Sequence, residues 1–254
     1  MRIAPSLASR ARVNVVKPYV VCHMMPSVDG RLRTERWDVP ESGHEEYERT
    51  ADSYKADAWI CGRKTMEEFA DGHWKGGKGG KGKSPQIPRE DFAGPRKRGE
   101  RFAISLDPGG KLAWKDNTIE GDRLIEVLGE DVRSGYLAFL REKGISYIFA
   151  GKKSSKLDLR VALDKLREKF GIKRLMLEGG GETNGSFLRE GLVDELSMLL
   201  TPVADGGQGE PTLFDVEKEK PNKAVAKLRL KSVRRAKAGM LWIKYAVRKD
   251  SKSR

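Results

Sequence analysis

The sequence predicts a mixed α/β fold, with a mainly parallel central sheet flanked by helices and antiparallel strands at its carboxyl end. Two observations carry this expectation. From residue 18 to residue 189, short apolar runs alternate with stretches of helical spacing, the pattern of strands joined by crossover helices. The last three apolar runs, 195–201, 225–233 and 241–247, follow one another without a helix between them, as antiparallel strands can.

The elements are justified in chain order. Residues 18–25 are apolar and β-branched at their centre and form a strand that stops at Pro26. SVDGRLRTERWDVPESG, from residue 27, has the composition of a loop, and helical spacing takes over across 44–55. A strand at 57–61 ends in Gly62, and a short helix, RKTMEEFA, follows. Residues 72–100 are rich in Gly, Lys and Pro (GGKGGKGKSP), lack periodicity and read as a mobile surface loop. Strand character returns at 101–106, a helix at 135–143 and a strand at 146–150. Apolar residues at 157, 159, 161, 163, 166 and 170 mark the next helix. A buried strand at 174–177 is closed by Gly179, Gly180 and Gly181, and a helix runs over 184–189.

Composition bounds the function. The chain has 254 residues, 38% hydrophobic and 34% charged, enough to bury a sizeable core. Neither a repeat nor a Pro/Ser-rich linker divides it. One domain is expected over 18–248, between a basic tail at 1–17 and another at 249–254. The first segment resembles a mitochondrial presequence in its four cations and lack of acids, but a frayed tail is the preferred reading. No apolar run reaches the ~20 residues of a membrane span. Cys22 and Cys61 fall at strand ends without a CxxC pair, as small buried hydrophobes in a reducing, cytoplasmic setting do. The net charge of +13 suits phosphate-bearing ligands. It is concentrated in segment 72–101, with nine Lys/Arg against three Asp/Glu, and in the tails. A nucleic-acid-binding protein would interleave aromatics with such cations to stack bases, and few are present here.

Three segments carry candidate chemistry. RLMLEGGGET (174–183) runs a strand into three glycines and a helix, so that backbone can approach an anion and free amides can face it. Gly62-Arg63-Lys64-Thr65 repeats that geometry with two cations and a hydroxyl. Two anion sites of this kind suit a dinucleotide with a pyrophosphate and an additional 2′-phosphate. Ser27, Asp29 and Gly30 follow the first strand, where open α/β sheets place ligands, and Asp29 could bind a polar heterocycle or supply a proton. Glu178, beside the glycines, could reach a ligand's hydroxyl or amine or cap its neighbours' amides. His23, His44 and His73 are scattered and form no nucleophilic or metal-binding arrangement.

In this order, MMPSVDGRL (24–32), ADAWICGRKTMEEF (56–69) and LMLEGGGETNGSFLREGLVDELSMLLTPVADGG (175–207) resemble the reductase domain of bifunctional riboflavin-biosynthesis deaminase-reductases and its free-standing relatives. GRKTMEEF also looks like the cofactor loop of dihydrofolate reductases, which share the fold. The resemblance implies a dihydrofolate-reductase-like fold, an NADPH-dependent oxidoreductase, and a homodimer. It implies that Gly62, Arg63, Lys64 and Thr65 meet the adenosine phosphates. Gly179, Gly180, Gly181 and Thr183 would hold the pyrophosphate, with Asn184 near the cleft. Ser27, Asp29 and Glu178 would face a phosphorylated pyrimidine or pterin-like substrate, with Asp29 as the catalytic acid. The implied reaction reduces C1′ of a ribosylamino-pyrimidine phosphate to a ribityl chain. No HxE or PCxxC zinc signature of a deaminase occurs. The Asp-Asp-Pro and Leu-Thr-x-Arg segment common in the family is replaced by GGKGGKGKSP, whose lysines are candidates for a phosphate clamp. A dihydrofolate-reductase-like enzyme of other specificity is the alternative. It wants an acid on the first long helix, where Glu45, Glu46, Glu48 and Asp52 stand.

Overall fold

A computed structural model describes residues 17–76, 86–153, 156–215 and 225–248. Strands β1 (Tyr19–Met24), β2 (Ala58–Gly62), β3 (Phe102–Leu106), β4 (Thr118–Ile119), β5 (Asp122–Leu128), β6 (Ser146–Phe149), β7 (Arg174–Leu177), β8 (Glu195–Leu200), β9 (Leu228–Arg235) and β10 (Leu241–Val247) form one sheet. Its helices are α1 (Glu41–Asp52), α2 (Arg63–Met66), α3 (Ser134–Glu142), α4 (Leu159–Phe170) and α5 (Gly181–Arg189). Seven strands run parallel in the order β6-β5-β3-β2-β7-β1-β8, with the two-residue β4 antiparallel on the β5 edge. β10 and β9 continue antiparallel beyond β8, as the late run of strands predicts.

The central strands are apolar on both faces because both faces are covered. In β7, Leu175 and Leu177 point into the core that holds Leu163, Leu166 and Phe170 of α4 and Phe187 of α5. Met176 points the other way, into the core that holds Tyr136, Leu137 and Leu140 of α3 and Trp59 of β2. α4 is set locally: the Asp158 carboxylate accepts from the amides of Arg160 (3.0 Å) and Val161 (3.1 Å), and Gly171 ends the helix at φ 74°.

Several boundaries differ from expectation for physical reasons. α1 starts three residues early because Pro40, at φ −65°, already has the backbone geometry that leads into a first turn. β5 escapes the sequence pattern altogether: DRLIEVL carries charges at Asp122, Arg123 and Glu126, yet the strand lies between β3 and β6. Glu126 is tolerated there because the Trp114 indole and the Tyr136 hydroxyl both donate to Oε1. Burial pushes its carboxyl far above the ordinary range, so it is held neutral. The described part of the presumed loop is docked rather than free. Phe92 exchanges backbone hydrogen bonds with Tyr147 of β6, and the Asp91 carboxylate accepts from the Phe149 amide (2.9 Å) and the Lys165 ammonium (3.0 Å). The lysines at 78, 81 and 83, offered as a phosphate clamp, lie outside the described residues, as do 1–16 and 249–254.

Candidate active site

β2 and β7 are parallel neighbours, so the glycine turns that follow them emerge side by side. From there the chain departs in opposite directions, from β2 toward β3 and from β7 through α5 toward β8. That divergence opens a crevice at the carboxyl ends of the strands. The ladder continues into the turns: the Glu178 amide donates to the Ile60 carbonyl (3.1 Å) and the Gly62 amide to the Gly179 carbonyl (3.4 Å). A Cβ on Gly62 would run into the Thr183 hydroxyl, and one on Gly179 would stand 2.8 Å from Cys61 Sγ. Glycine at both positions lets the turns approach without moving these side chains. Gly180 adopts φ 65° and precedes α5 without a side-chain cap, leaving the first amides of that helix for a ligand.

A cleft of about 760 Å³ lies here. β1 supplies Met24 and, just beyond it, Met25. The turn after β2 supplies Gly62, Arg63, Lys64 and Thr65. The turn after β7 supplies Glu178, Gly180, Gly181 and Thr183, and α1 contributes His44, Tyr47 and Glu48. Residues 32–35 and the pair Pro211 and Asp215 close the far wall. Thus Gly62, Arg63, Lys64, Thr65, Glu178, Gly180, Gly181 and Thr183, singled out from sequence, meet in one place. The charges there are less one-sided than expected. Arg63 pairs with Glu67 one turn on, and the exposed Lys64 lies 3.6 Å from Glu182. The exposed Glu35 and Glu68 also line the cleft.

Glu178 continues the side of β7 that Met176 begins, and its carboxyl ends on the cleft floor. Burial, reinforced by the negative charge of Glu48, pushes it up to about 8. Among the described residues it has no hydrogen-bond or ion-pair partner. At neutral pH it is an acid with a proton to give, open to whatever fills the cleft.

Four expected site residues lie elsewhere: Gly179 packs behind the cleft against Cys61, and Ser27, Asp29 and Asn184 are turned to other tasks. The Ser27 hydroxyl is buried, donating to Asp29 (2.7 Å) and accepting from the Arg31 amide (2.9 Å). Asp29 accepts that hydrogen bond and those of the Asp205 and Gly206 amides, each 2.9 Å. Together they hold its carboxyl far below the usual carboxylate range. Neither residue lines the cleft, and an Asp so firmly ionised has no proton to donate at neutral pH. It fastens the turn after β1 to the segment after β8. Asn184 is buried on the far side of α5, its amide donating to the Leu213 carbonyl (3.2 Å). A compact turn carboxylate and a catalytic one look identical in sequence, and the 203–215 segment that distinguishes them is remote in the chain.

Tyr47, not singled out from sequence, and Glu48, named only for the alternative reading, do line the cleft. His23 is buried under α1, Nδ1 3.0 Å from Ser197 Oγ and its ring stacked on Tyr47 at 4.6 Å. Tyr47 donates to the His23 carbonyl (3.1 Å), which seats the second turn of α1 beside the cleft. An apolar-polar helix pattern does not reveal which polar residue meets a strand end.

A mainly parallel sheet with its cleft between two glycine turns and antiparallel strands at its carboxyl end is the frame that solved RibD-type reductase structures share. More narrowly, residues 122–242 match the model of the RibD C-terminal domain. It is 29% identical over 205 residues, covering 80% of this chain and 86% of the relative, to the 2,5-diamino-6-ribosylamino-4(3H)-pyrimidinone 5′-phosphate reductase of Methanothermobacter thermautotrophicus. The enzyme of the same name from Archaeoglobus fulgidus is 26% identical over 211 residues, covering 80% and 88%. In fold it is similar to a pyrimidine reductase-like protein from Corynebacterium diphtheriae, with a TM-score of 0.64 at 17% identity over 92% of this chain and 93% of that one.

Proposed function

We propose that this protein is an NADPH-dependent reductase of riboflavin biosynthesis acting on 2,5-diamino-6-ribosylamino-4(3H)-pyrimidinone 5′-phosphate. The names of its relatives support the substrate. The observation that carries the reading is the cleft itself, in which two glycine turns with an uncapped helix start adjoin an acid held protonated near neutral pH.

The residues fit a dinucleotide. The close approach of Gly62 to Thr183 and the free amides of α5 form a cradle for a pyrophosphate, and Thr65 faces Gly180 across it. Arg63, on the turn after β2 that lines the cleft, is the cation able to favour a 2′-phosphate, which is the basis for NADPH over NADH. The cofactor, when bound, supplies a hydride. Glu178 supplies the matching proton: as C1′ of the ribose gains hydride, its bond to the ring oxygen breaks and that oxygen takes the proton, leaving the open ribityl chain. The walls formed by 32–35 and α1 would confine a substrate beside that cradle, and such orientation accounts for much of the rate in reactions of this kind. Asp29 acts at one remove, by tying down the wall.

The second copy of a homodimer fits the edge strand β9, which pairs with β10 on one side only among the described residues and exposes Leu228, Leu230 and Val233. Two unpaired buried cysteines suit the cytoplasm. Among the described residues no helix is long and apolar enough to cross a membrane. A thermal-shift titration with NADPH and NADH side by side tests the cofactor. Stabilisation growing with NADPH is expected, and no shift with either at millimolar concentration removes the assignment.

A further inference from the structure

The ribbon of β9 and β10 carries a charge that the cleft does not use. Residues 225–248 contain eight Lys/Arg and no Asp/Glu. β9 ends the sheet, and its Arg229, Lys231, Arg234 and Arg235 are all exposed. A β-bulge sorts these residues. Lys244 of β10 stands opposite Ser232 and Tyr245 opposite Leu230, so Lys231 is an extra residue in β9. Leu228, Leu230 and Val233 consequently share one face with Tyr245 and Val247, the apolar face that suits a second copy. Arg229 and Arg234 share the other face with Trp242. Lys231 turns the same way, pairing with Glu195 beside Ala246. Lys244 lies there too, its ammonium over the rings of Trp242 (3.8 Å) and Tyr54 (4.5 Å). Burial, with Lys231 and Arg234 close by, depresses that ammonium.

The acids that border this face are already engaged. Glu195 takes Lys231 and the hydroxyls of Tyr19 and Tyr54, Glu46 takes Arg49, and Glu45 takes Lys237. The guanidinium groups of Arg229, Arg234 and Arg235 have no ion-pair or hydrogen-bond partner among the described residues. Charges on an edge strand guard it against unwanted pairing, but either sign serves that purpose. Cations alone, gathered on one face and unpaired, repel one another until an anion meets them.

We propose that the face formed by Arg229, Lys231 and Arg234 binds the phosphate backbone of a nucleic-acid duplex, independently of the cleft. Alternate residues of a strand lie about 6.5 Å apart, so Arg229 and Lys231 are spaced to meet successive phosphates of one nucleic-acid strand. The aromatic residues of the ribbon do not serve as stacking platforms, because Trp242 is buried and Tyr245 is half-buried on the opposite face. A single strand, whose bases need such platforms, is poorly served. A duplex has its bases stacked already and offers phosphates to any cation row. Binding of this kind is salt-sensitive and indifferent to base sequence.

The test is a salt titration of the full protein against a short fluorescent DNA duplex of mixed sequence. It compares wild type, the pair Arg229→Glu and Arg234→Glu, the milder pair Arg229→Gln and Arg234→Gln, and a control pair, Lys97→Glu and Arg98→Glu. The control makes the same change of net charge on the exposed segment before β3. Wild type and control are expected to bind, with affinity falling as salt rises. The glutamate pair should weaken binding about tenfold or more and lower the salt slope by about two, and the glutamine pair should do so by less. Unfolding temperature reports whether each variant folds, and the glutamine pair decides if the glutamate pair does not. Equal losses in the control, which would reduce the effect to net charge, overturn the proposal. So does a wild type that binds phosphatidylserine vesicles but not the duplex, or neither. The readout is duplex binding alone, so the reductase reading stands or falls separately.

Discussion

Gly62 and Thr183, 121 residues apart, meet where the turns after β2 and β7 touch: a Cβ on Gly62 would run into the Thr183 hydroxyl. To admit it, the Thr183 side chain or the turn that carries it must shift. Gly62→Ala is expected to push the two turns apart, at about 1–3 kcal/mol of stability, and to weaken NADPH binding more than tenfold. Calorimetric unfolding and cofactor titration check the two effects together. An alanine variant with native cofactor affinity would remove this contact from the cradle.

Glu178 should impose a basic limb on activity. Its carboxyl is protonated below about 8 and ionised above, so kcat/KM is expected to fall as pH rises through that value. Glu178→Gln cannot donate and should lose about 10²-fold or more in kcat, with the limb abolished. The same shift has a stability consequence of defined sign. The unfolded chain ionises this group near its ordinary 4.5, so native stability declines as pH rises from there toward 8, and the glutamine variant should lack that component. Denaturant melts across this window measure it.

His23 works in the opposite direction. Burial lowers it to about 4 from an ordinary 6.5, so the unfolded chain takes up its proton first and stability is lost as pH falls between those values. His23→Gln, which retains a partner for Ser197, should flatten that acid limb. An unchanged profile would mean that another group governs it.

Arg63→Ala is expected to weaken NADPH by about 1–3 kcal/mol while leaving NADH nearly untouched. Its present partner, Glu67, is a neighbour on the helix side, so the guanidinium can exchange it for a phosphate. Equal losses for the two cofactors would remove the 2′-phosphate assignment.

Leu230→Asp and Val233→Asp place charges on the exposed face of β9 without touching either core. A monomer by sedimentation is expected where wild type is a dimer, with the unfolding temperature lowered in step. A variant that stays dimeric moves the interface elsewhere.

What the sequence disclosed follows its physics. Strands buried on both faces announce themselves as apolar runs, so β1, β2 and β7 and their glycine turns are legible, and parallel pairing then brings the turns together. β5 is hidden because its burial relies on a neutral Glu126 held by Trp114 and Tyr136, donors that come from outside the strand. Asp29 and Asn184 mislead because turn-fastening and ligand-binding polar residues share the same local pattern, and their partners, Asp205, Gly206 and Leu213, are distant in the chain. Glu48 stands among five acids of one helix, and nothing in their spacing shows that it alone of them reaches the cleft.

The most direct test of the central claim is NADPH consumption by the purified protein with 2,5-diamino-6-ribosylamino-4(3H)-pyrimidinone 5′-phosphate, with the product identified by mass. The account predicts that each substrate consumed removes one NADPH and yields the ribitylamino product, two hydrogens heavier. A folded protein that binds NADPH yet leaves this substrate unchanged would contradict it.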